Sequence, residues 1–154
     1  MKWIKEKEPM WNESRENIIG NNPCAFNLSK IEMEAPLSGD WWTLLNDTNE
    51  TLGYGWIKYE ENDAELSISI HKNHQNKGVG TEILRKLEIE ALNKGFKKTV
   101  TVVRECNPTG KEAINWLYKQ DYKAIWPGIN SYLSKEIACK YLSITNITLE
   151  KELK

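Results

Sequence analysis

Between Ser67 and Leu92 the sequence SISIHKNHQNKGVGTEILRKLEIEAL changes its hydrophobic period once, and that change restricts the fold more than any other feature. Leu66, Ile68 and Ile70 alternate with Ser67 and Ser69, the two-residue repeat of a strand whose faces differ in character. From Thr81 onward Ile83, Leu84, Leu87, Ala91 and Leu92 share one face at helical spacing, while Glu82, Arg85, Lys86, Glu88 and Glu90 face water and Ile89 sits off the stripe. Gly95, after Lys94, supplies a left-handed C-terminal stop. The next segment, KKTVTVVRE, is rich in Val and Thr and reads as a buried strand. A helical crossover separates it from ELSISI, so the two strands run parallel. A strand, a polar loop ending in Gly78-Val79-Gly80, a helix and a parallel strand together predict a mixed α and β architecture.

The flanks extend this unit. WWTLLND, TLGYGWIKYE and AELSISIH, separated by the turn-prone Asp47-Thr48-Asn49 and Glu61-Asn62-Asp63, predict an antiparallel meander. Among the first forty residues, EPMWNESRENIIGNN offers a short helical turn and CAFNLSKIEMEAP a strand before Pro36. Downstream, Thr109-Gly110-Lys111-Glu112 has the form of a capping box and opens a second helix through about Gln120, with Ala113, Trp116 and Leu117 inward. DYKAIWPG suits a strand ending at Pro127, KYLSITNITLEKEL suits a last strand, and INSYLSKEIAC between them fits either helix or strand. Without repeats or low-complexity tracts, residues 1–154 are expected to form one domain.

Composition narrows the function classes. A net charge of −1 argues against a general hold on nucleic acid, which needs a basic surface to neutralise phosphates. Cys24, Cys106 and Cys139 are odd in number and lack metal-ligand spacing, so neither a disulfide framework nor a metal site is expected. No apolar run approaches the roughly 18 residues of a membrane span, and MKWIKEKEPMWNES is too charged for a secretory leader. The expectation is a soluble protein of the reducing cytoplasm, with no membrane partner.

The glycine loop sits where a helix exposes unpaired N–H groups and partial positive charge, an arrangement that attracts phosphate. Gly78 and Gly80 clear side chains from between amides and ligand, and Lys77 adds a charge at the rim. GxxxxGK[ST] fails, because Thr81-Glu82 follows Gly80, and GxGxxG fails at Ile83. A glycine-rich turn that binds nothing accounts for the glycines equally well on their own.

Over Ala64 to Ile125 the chain resembles the GCN5-related N-acetyltransferase superfamily, whose signature [QR]xxGx[GA] appears as Gln75-Asn76-Lys77-Gly78-Val79-Gly80. The resemblance implies the acyl-CoA N-acyltransferase fold, an α+β architecture whose mostly antiparallel sheet splays at the cofactor cleft with helices on both faces. It implies acetyl-CoA as cosubstrate, with Gln75, Asn76, Lys77, Gly78, Val79, Gly80 and Thr81 around the pyrophosphate, pantetheine along the backbone of Ile70 and His71, and Asn107 before the second helix. A backbone N–H near His71 is the implied oxyanion donor. Attack by the amine is implied to be direct, which leaves Cys106 as a buried core thiol rather than a nucleophile.

The same resemblance offers Glu65 as the base acting through water, against a plain solvated strand-end charge, and ascribes only loop roles to His71 and His74. For the acid, the family phrase A-x-x-L-Y-x-x-x-G-F meets AINWLYKQDY here: Leu117 falls at the Tyr position, Tyr118 is about 100° further round the helix, and Asp121 replaces Gly. Tyr118 is therefore the carried-over acid, with water or Tyr132 as substitutes. Trp41, Trp42, Trp56 and Trp126 are placed to reach the acceptor side or to serve as core, and Glu60, Glu61 and Asp63 to draw a cation or merely be solvated. The implied reaction is acetyl transfer to a primary amine of a small molecule or protein. The alternatives are a non-catalytic CoA-binding module and an interaction domain with an empty turn. The final strand is placed to pair across a homodimer.

Overall fold

The computed structural model describes residues 1–20, 22, 24–26, 31–126 and 129–154, the side chains of Ile129 and Asn130 excepted. The strands are β1 (Lys2–Lys5), β2 (Asp40–Leu45), β3 (Thr51–Tyr59), β4 (Ala64–Ile70), β5 (Lys98–Val103), β6 (Lys123–Trp126), β7 (Ile129–Tyr132) and β8 (Ile147–Glu152). They form one eight-stranded sheet in the order β1-β2-β3-β4-β5-β8-β6-β7. The pair β4/β5 is parallel and the other pairs are antiparallel. The helices are α1 (Glu13–Ile18), α2 (Val79–Asn93), α3 (Gly110–Lys119) and α4 (Lys135–Tyr141).

The meander splits its side chains between two layers. Trp42, Leu44, Ile57 and Leu66 join Ile83, Leu84 and Leu87 of α2 in the larger core. On the other side Trp41 and Tyr54 pack with Trp11 and Ile19 around α1. The period-two alternation of β2 and β3 thus serves two separate apolar interfaces.

Arg15 fixes α1 on that second face. Its guanidinium is buried, donates from Nη1 to Met10 O at 2.8 Å, and is ion-paired through Nη2 to Glu6. It lies 5.0 Å from the Trp41 ring centre and 4.6 Å from that of Tyr54, a desolvated cation held by a carboxylate and two π-faces. The Tyr54 hydroxyl donates to Ser14 Oγ at 2.8 Å, and the Ser69 hydroxyl to Ile18 O at 3.3 Å. These bonds bring the end of α1 against β4.

Several boundaries depart from the sequence reading. β1 is an additional edge strand in which only Trp3 is half-buried, too short and polar for a periodic signal. Of the expected strand before Pro36, residues 27–30 lie outside the described residues, Cys24–Phe26 form a turn, and Pro36 makes a lone bridge with Met10. Pro127, the expected end of β6, also lies outside them. Lys140 and Tyr141 end α4 rather than open β8, because Ser134 Oγ accepts from the Ile137 N–H and starts a helix there. The Thr109 capping box does not form; its N–H and hydroxyl both donate to Asn107 Oδ1, at 3.1 and 3.2 Å. Leu92, expected inward, is 41% exposed beyond the end of the buried stripe.

The cysteine expectation is corrected outright. Cys24 and Cys106, 82 residues apart in sequence, form a disulfide with Cα atoms 6.1 Å apart, and Cys106 is exposed rather than a core thiol. Only the fold brings the two segments together, so no local spacing announces the bridge. Cys139 is free. Among the described residues no cluster of metal-ligating side chains occurs, and no helix is long and apolar enough to cross a membrane.

Candidate active site

β4 and β5 pair at Ala64↔Thr99 and Glu65↔Val100 and then diverge, leaving a wedge beside the second half of β4. The hydrogen-bond phase of β4 determines which main-chain groups face it. His71 donates its N–H to Leu52 O at 2.9 Å, and β3/β4 continue in unbroken register from there. Hydrogen-bonded and non-bonded pairs alternate along an antiparallel ladder. Ser69 and Ser67 therefore turn their amides to β3, while Ile68 and Ile70 turn theirs to the wedge. The expected donor at His71 is engaged by β3, and the neighbouring Ile70 and Ile68 hold the available positions.

A 3-10 turn, Lys72–His74, leads out of β4 and is capped by His71, whose Nδ1 accepts from the Asn73 N–H at 3.1 Å. That acceptor role occupies the imidazole with the turn. Gln75 Nε2 donates to Ile70 O at 3.3 Å, tying the loop to the strand end. Asn76 (φ 60) and Gly78 (φ 83) then take left-handed conformations that swing the chain into α2. Among the described residues, no main-chain N–H from Gln75 to Thr81 has a protein acceptor; the first helical bond is from Glu82 N–H to Gly78 O. A run of free donors at the N-terminus of a fifteen-residue helix is an arrangement whose chemistry suits an anion.

The two glycines serve different ends. A Cβ on Gly78 would meet nothing within 4 Å, so its need is the positive φ. A Cβ on Gly80 would stand 2.9 Å from Ile70 Cδ1 and 3.7 Å from the Trp116 ring, so its need is the close approach of α2 to the cleft wall. Trp116 Nε1 donates to Thr81 Oγ1 at 3.1 Å, joining α3 to the first turn of α2.

Around the loop lies an open cleft of about 650 Å³. Ile68, Ile70 and the loop form one wall, Asn107 and Trp116 a second, and Ile18, Asn22 and Phe26 a third. Lys72 lines it, whereas Lys77 directs its ammonium to Asn73 O at 3.2 Å and Val79 is buried in the core. Among the described residues Glu112 is its one acidic lining residue. A larger depression of about 900 Å³ lies between α2 and the end of β8, lined by Arg85, Glu88, Tyr118 and Lys151. Its described lining contains no glycine and no first turn of a helix, and chemistry rather than size selects the smaller cleft.

The remaining expected residues scatter. Glu65 sits half-buried at the apex where β4 and β5 last pair, opposite Lys58, on the strand face it shares with Ser67 and Ser69. Tyr118 is turned away from the cleft into the larger depression: its hydroxyl donates to Leu133 O at 2.7 Å and accepts from the Ala124 N–H at 3.1 Å. Burial pushes that phenol up, against the pull of the Ala124 amide. Leu117, one position earlier, is buried in the core. Tyr132 is exposed and donates to Glu150 Oε1 at 3.0 Å, remote from the loop. None of Trp41, Trp42, Trp56 and Trp126 lines the cleft. Trp41 and Trp56 stack 4.3 Å apart in the α1 layer, and Trp126 packs on Tyr141. The aromatic walls are instead Trp116 and Phe26, the first legible as a helical inward position and the second without a sequence signal.

Residues 5–122 match the family model described as the acetyltransferase (GNAT) family. The chain belongs to that family. Its fold recurs in solved structures at low identity. An acetyltransferase of the GNAT family from Staphylococcus aureus Mu50 aligns with TM-score 0.59 and 14% identity over 99% of this chain and 100% of that one. A GNAT superfamily phosphinothricin acetyltransferase from Sinorhizobium meliloti, in complex with AcCoA, aligns with TM-score 0.55 and 13% identity over 96% and 89%. The PaiA N-acetyltransferase from Thermoplasma acidophilum, in complex with coenzyme A, aligns with TM-score 0.53 and 18% identity over 73% of this chain, which spans 59% of that protein. No curated protein matches the chain.

Proposed function

We propose that this GNAT protein is an acetyl-CoA-dependent N-acetyltransferase acting on a primary amine of a small molecule or protein, by direct attack in a ternary complex. The observation that carries the reading is the free row of amides from Gln75 to Thr81 at the mouth of a wedge toward which the N–H groups of Ile68 and Ile70 turn. Acetyl-CoA supplies the thioester and a diphosphate whose charge suits the helix N-terminus.

In this reading the loop amides and Lys72 hold the diphosphate, and Ile68 and Ile70 offer the strand-like contacts expected of a pantetheine arm. A main-chain N–H of this pair donates to the oxyanion that develops during attack. Glu65, at the wedge apex and on the face shared with Ser67 and Ser69, takes the ammonium proton through water. The amine nitrogen bonds to the carbonyl carbon, the carbon–sulfur bond breaks, and the remaining surplus proton of the nitrogen passes through water to the departing thiolate, since Tyr118 is committed elsewhere. Asn107 orders the turn before α3. Residues 1–154 act as one domain in the cytoplasm, and a homodimer through the last strands remains part of the proposal.

The second reading, a CoA-binding module without turnover, draws support from the displacement of Tyr118 from the cleft. Incubation with acetyl-CoA and an amine panel, following free thiol, separates the two. Thiol release with an amine supports the enzyme, binding with no release on any amine supports the module, and no thermal stabilisation by acetyl-CoA defeats both.

A further inference from the structure

The Cys24–Cys106 bridge joins two walls of the cleft. Cys24 lies in the segment after α1, between the lining residues Asn22 and Phe26; Cys106 lies in the turn after β5, next to the lining residues Asn107 and Thr109. Asn22 Nδ2 also reaches Asn107 Oδ1, at 3.5 Å, so one long hydrogen bond spans the same gap. The helix on the Cys24 side is only six residues long, and its main anchors, Arg15 and Ser14, are near its start. Beyond Ile18, Ile19 is buried with Trp11, Trp41 and Tyr54, and Phe26 packs on Trp56; among the described residues the disulfide is the covalent tie from this wall to the Cys106 side of the cleft. Cys106 is exposed and Cys24 half-buried, so the sulfur pair is within reach of a small thiol or disulfide in solution.

We propose that Cys24 and Cys106 form a redox modification site that holds the α1 wall in place beside the cleft when oxidised and releases it when reduced. The proposal rests on the acetyltransferase reading for its consequence, not for its chemistry. The oxidant is a low-molecular-weight disulfide. The Cys106 thiolate attacks one of its sulfurs and expels one small thiol, giving a mixed disulfide. The Cys24 thiolate then attacks Cys106 Sγ and expels the second. Two protein thiols lose two electrons and two protons, and one small disulfide becomes two small thiols. A dithiol reverses both steps. In a compartment that keeps thiols reduced the released form prevails, and oxidising conditions slow the exchange of ligand through the cleft.

The test uses the full chain oxidised with glutathione disulfide or reduced with dithiothreitol, and acetyl-CoA without amine as the probe, because its capped sulfur cannot itself reduce the bridge. Reduction should speed acetyl-CoA dissociation by about tenfold and hasten amide exchange in peptides covering residues 13–26. Cys24→Ser and Cys106→Ser should behave as reduced protein in both buffers, while Cys139→Ser should keep the full response. Equal dissociation and equal amide exchange in the two wild-type states would overturn the clamp, as would a Cys24→Ser protein that still answers dithiothreitol. If acetyl-CoA binds neither state, the acetyltransferase reading falls and amide exchange alone decides the clamp: slower exchange in the oxidised state upholds it, equal exchange rejects it.

Discussion

Replacing Gly78 by Asp tests whether the loop binds through the electrostatics of its free amides. The site has φ 83 and an open Cβ direction with no atom within 4 Å, so the change introduces no clash. Asp tolerates the left-handed region better than most residues, and a carboxylate beside a helix N-terminus gains about 0.3–1 kcal/mol. Backbone strain of about 1 kcal/mol is thus largely offset, and the variant should unfold within about 1 kcal/mol of wild type in urea. Its effect on ligand is of another size. A fixed negative charge about 5 Å from a phosphate charge costs about 3 kcal/mol at an effective dielectric near 20 and about 0.8 kcal/mol in bulk water. Acetyl-CoA affinity should therefore fall by about 4- to 200-fold. Gly78→Asn is the control, similar in shape and in tolerance of positive φ but uncharged. Isothermal titration should show Asp weakened well beyond Asn, with the gap narrowing as salt is raised. Equal affinities for the two variants, or a gap insensitive to salt, would refute the electrostatic account.

Three other changes probe the surroundings. Trp116→Phe removes the donor to Thr81 and should lower the unfolding free energy by about 1 kcal/mol in urea titration; no change would mean that the α2/α3 contact relies on ring packing alone. Glu65→Gln should reduce turnover by about 100-fold while leaving acetyl-CoA affinity intact; unchanged turnover would return Glu65 to a strand-end charge. Asp40 is partly buried, which by itself raises its carboxyl, but hydrogen bonds from Tyr59 and Lys94 and the charges of Lys5 and Lys94 bring it below the ordinary value of 3.8. Because the folded pKa is the lower one, the stabilisation is complete above the unfolded value and is lost as pH falls through the folded value. The stability gap between wild type and Asp40→Asn, from urea titrations at several pH values, should accordingly be constant near neutrality and shrink in acid below pH 3.8.

The centre of the fold was legible because its signals are local. The alternation in ELSISI, the helical stripe from Ile83 to Ala91 and the Val/Thr run of β5 each lie within one element, and each forms as read. The helix starts at Val79 rather than Thr81 because Asn76 and Gly78, both at positive φ, complete the reversal just before it. What was illegible depends on partners remote in sequence. β1 has little burial of its own and exists by pairing with β2. The Cys24–Cys106 bridge closes a separation of 82 residues. Tyr118 departs from the family's role through one residue of helical phase, enough to exchange a cleft for a carbonyl partner at Leu133. The phase of β4, which points Ile70 rather than His71 into the wedge, follows from its register with β3 and has no trace in residue type.

The seam between β4 and β5 consists of two residue pairs, yet it joins a four-stranded half, β1 to β4, to the other four strands. Among the described residues the β1/β2, β2/β3, β3/β4, β5/β8 and β6/β8 junctions each have more rungs, so twisting of one half against the other concentrates at Ala64 and Glu65. A ligand arm bonded into the wedge would add rungs to that seam and stiffen the whole sheet. On the proposed acetyltransferase reading the expected order of addition is the donor molecule first, as the missing piece of scaffold, and the acceptor only onto a sheet already braced.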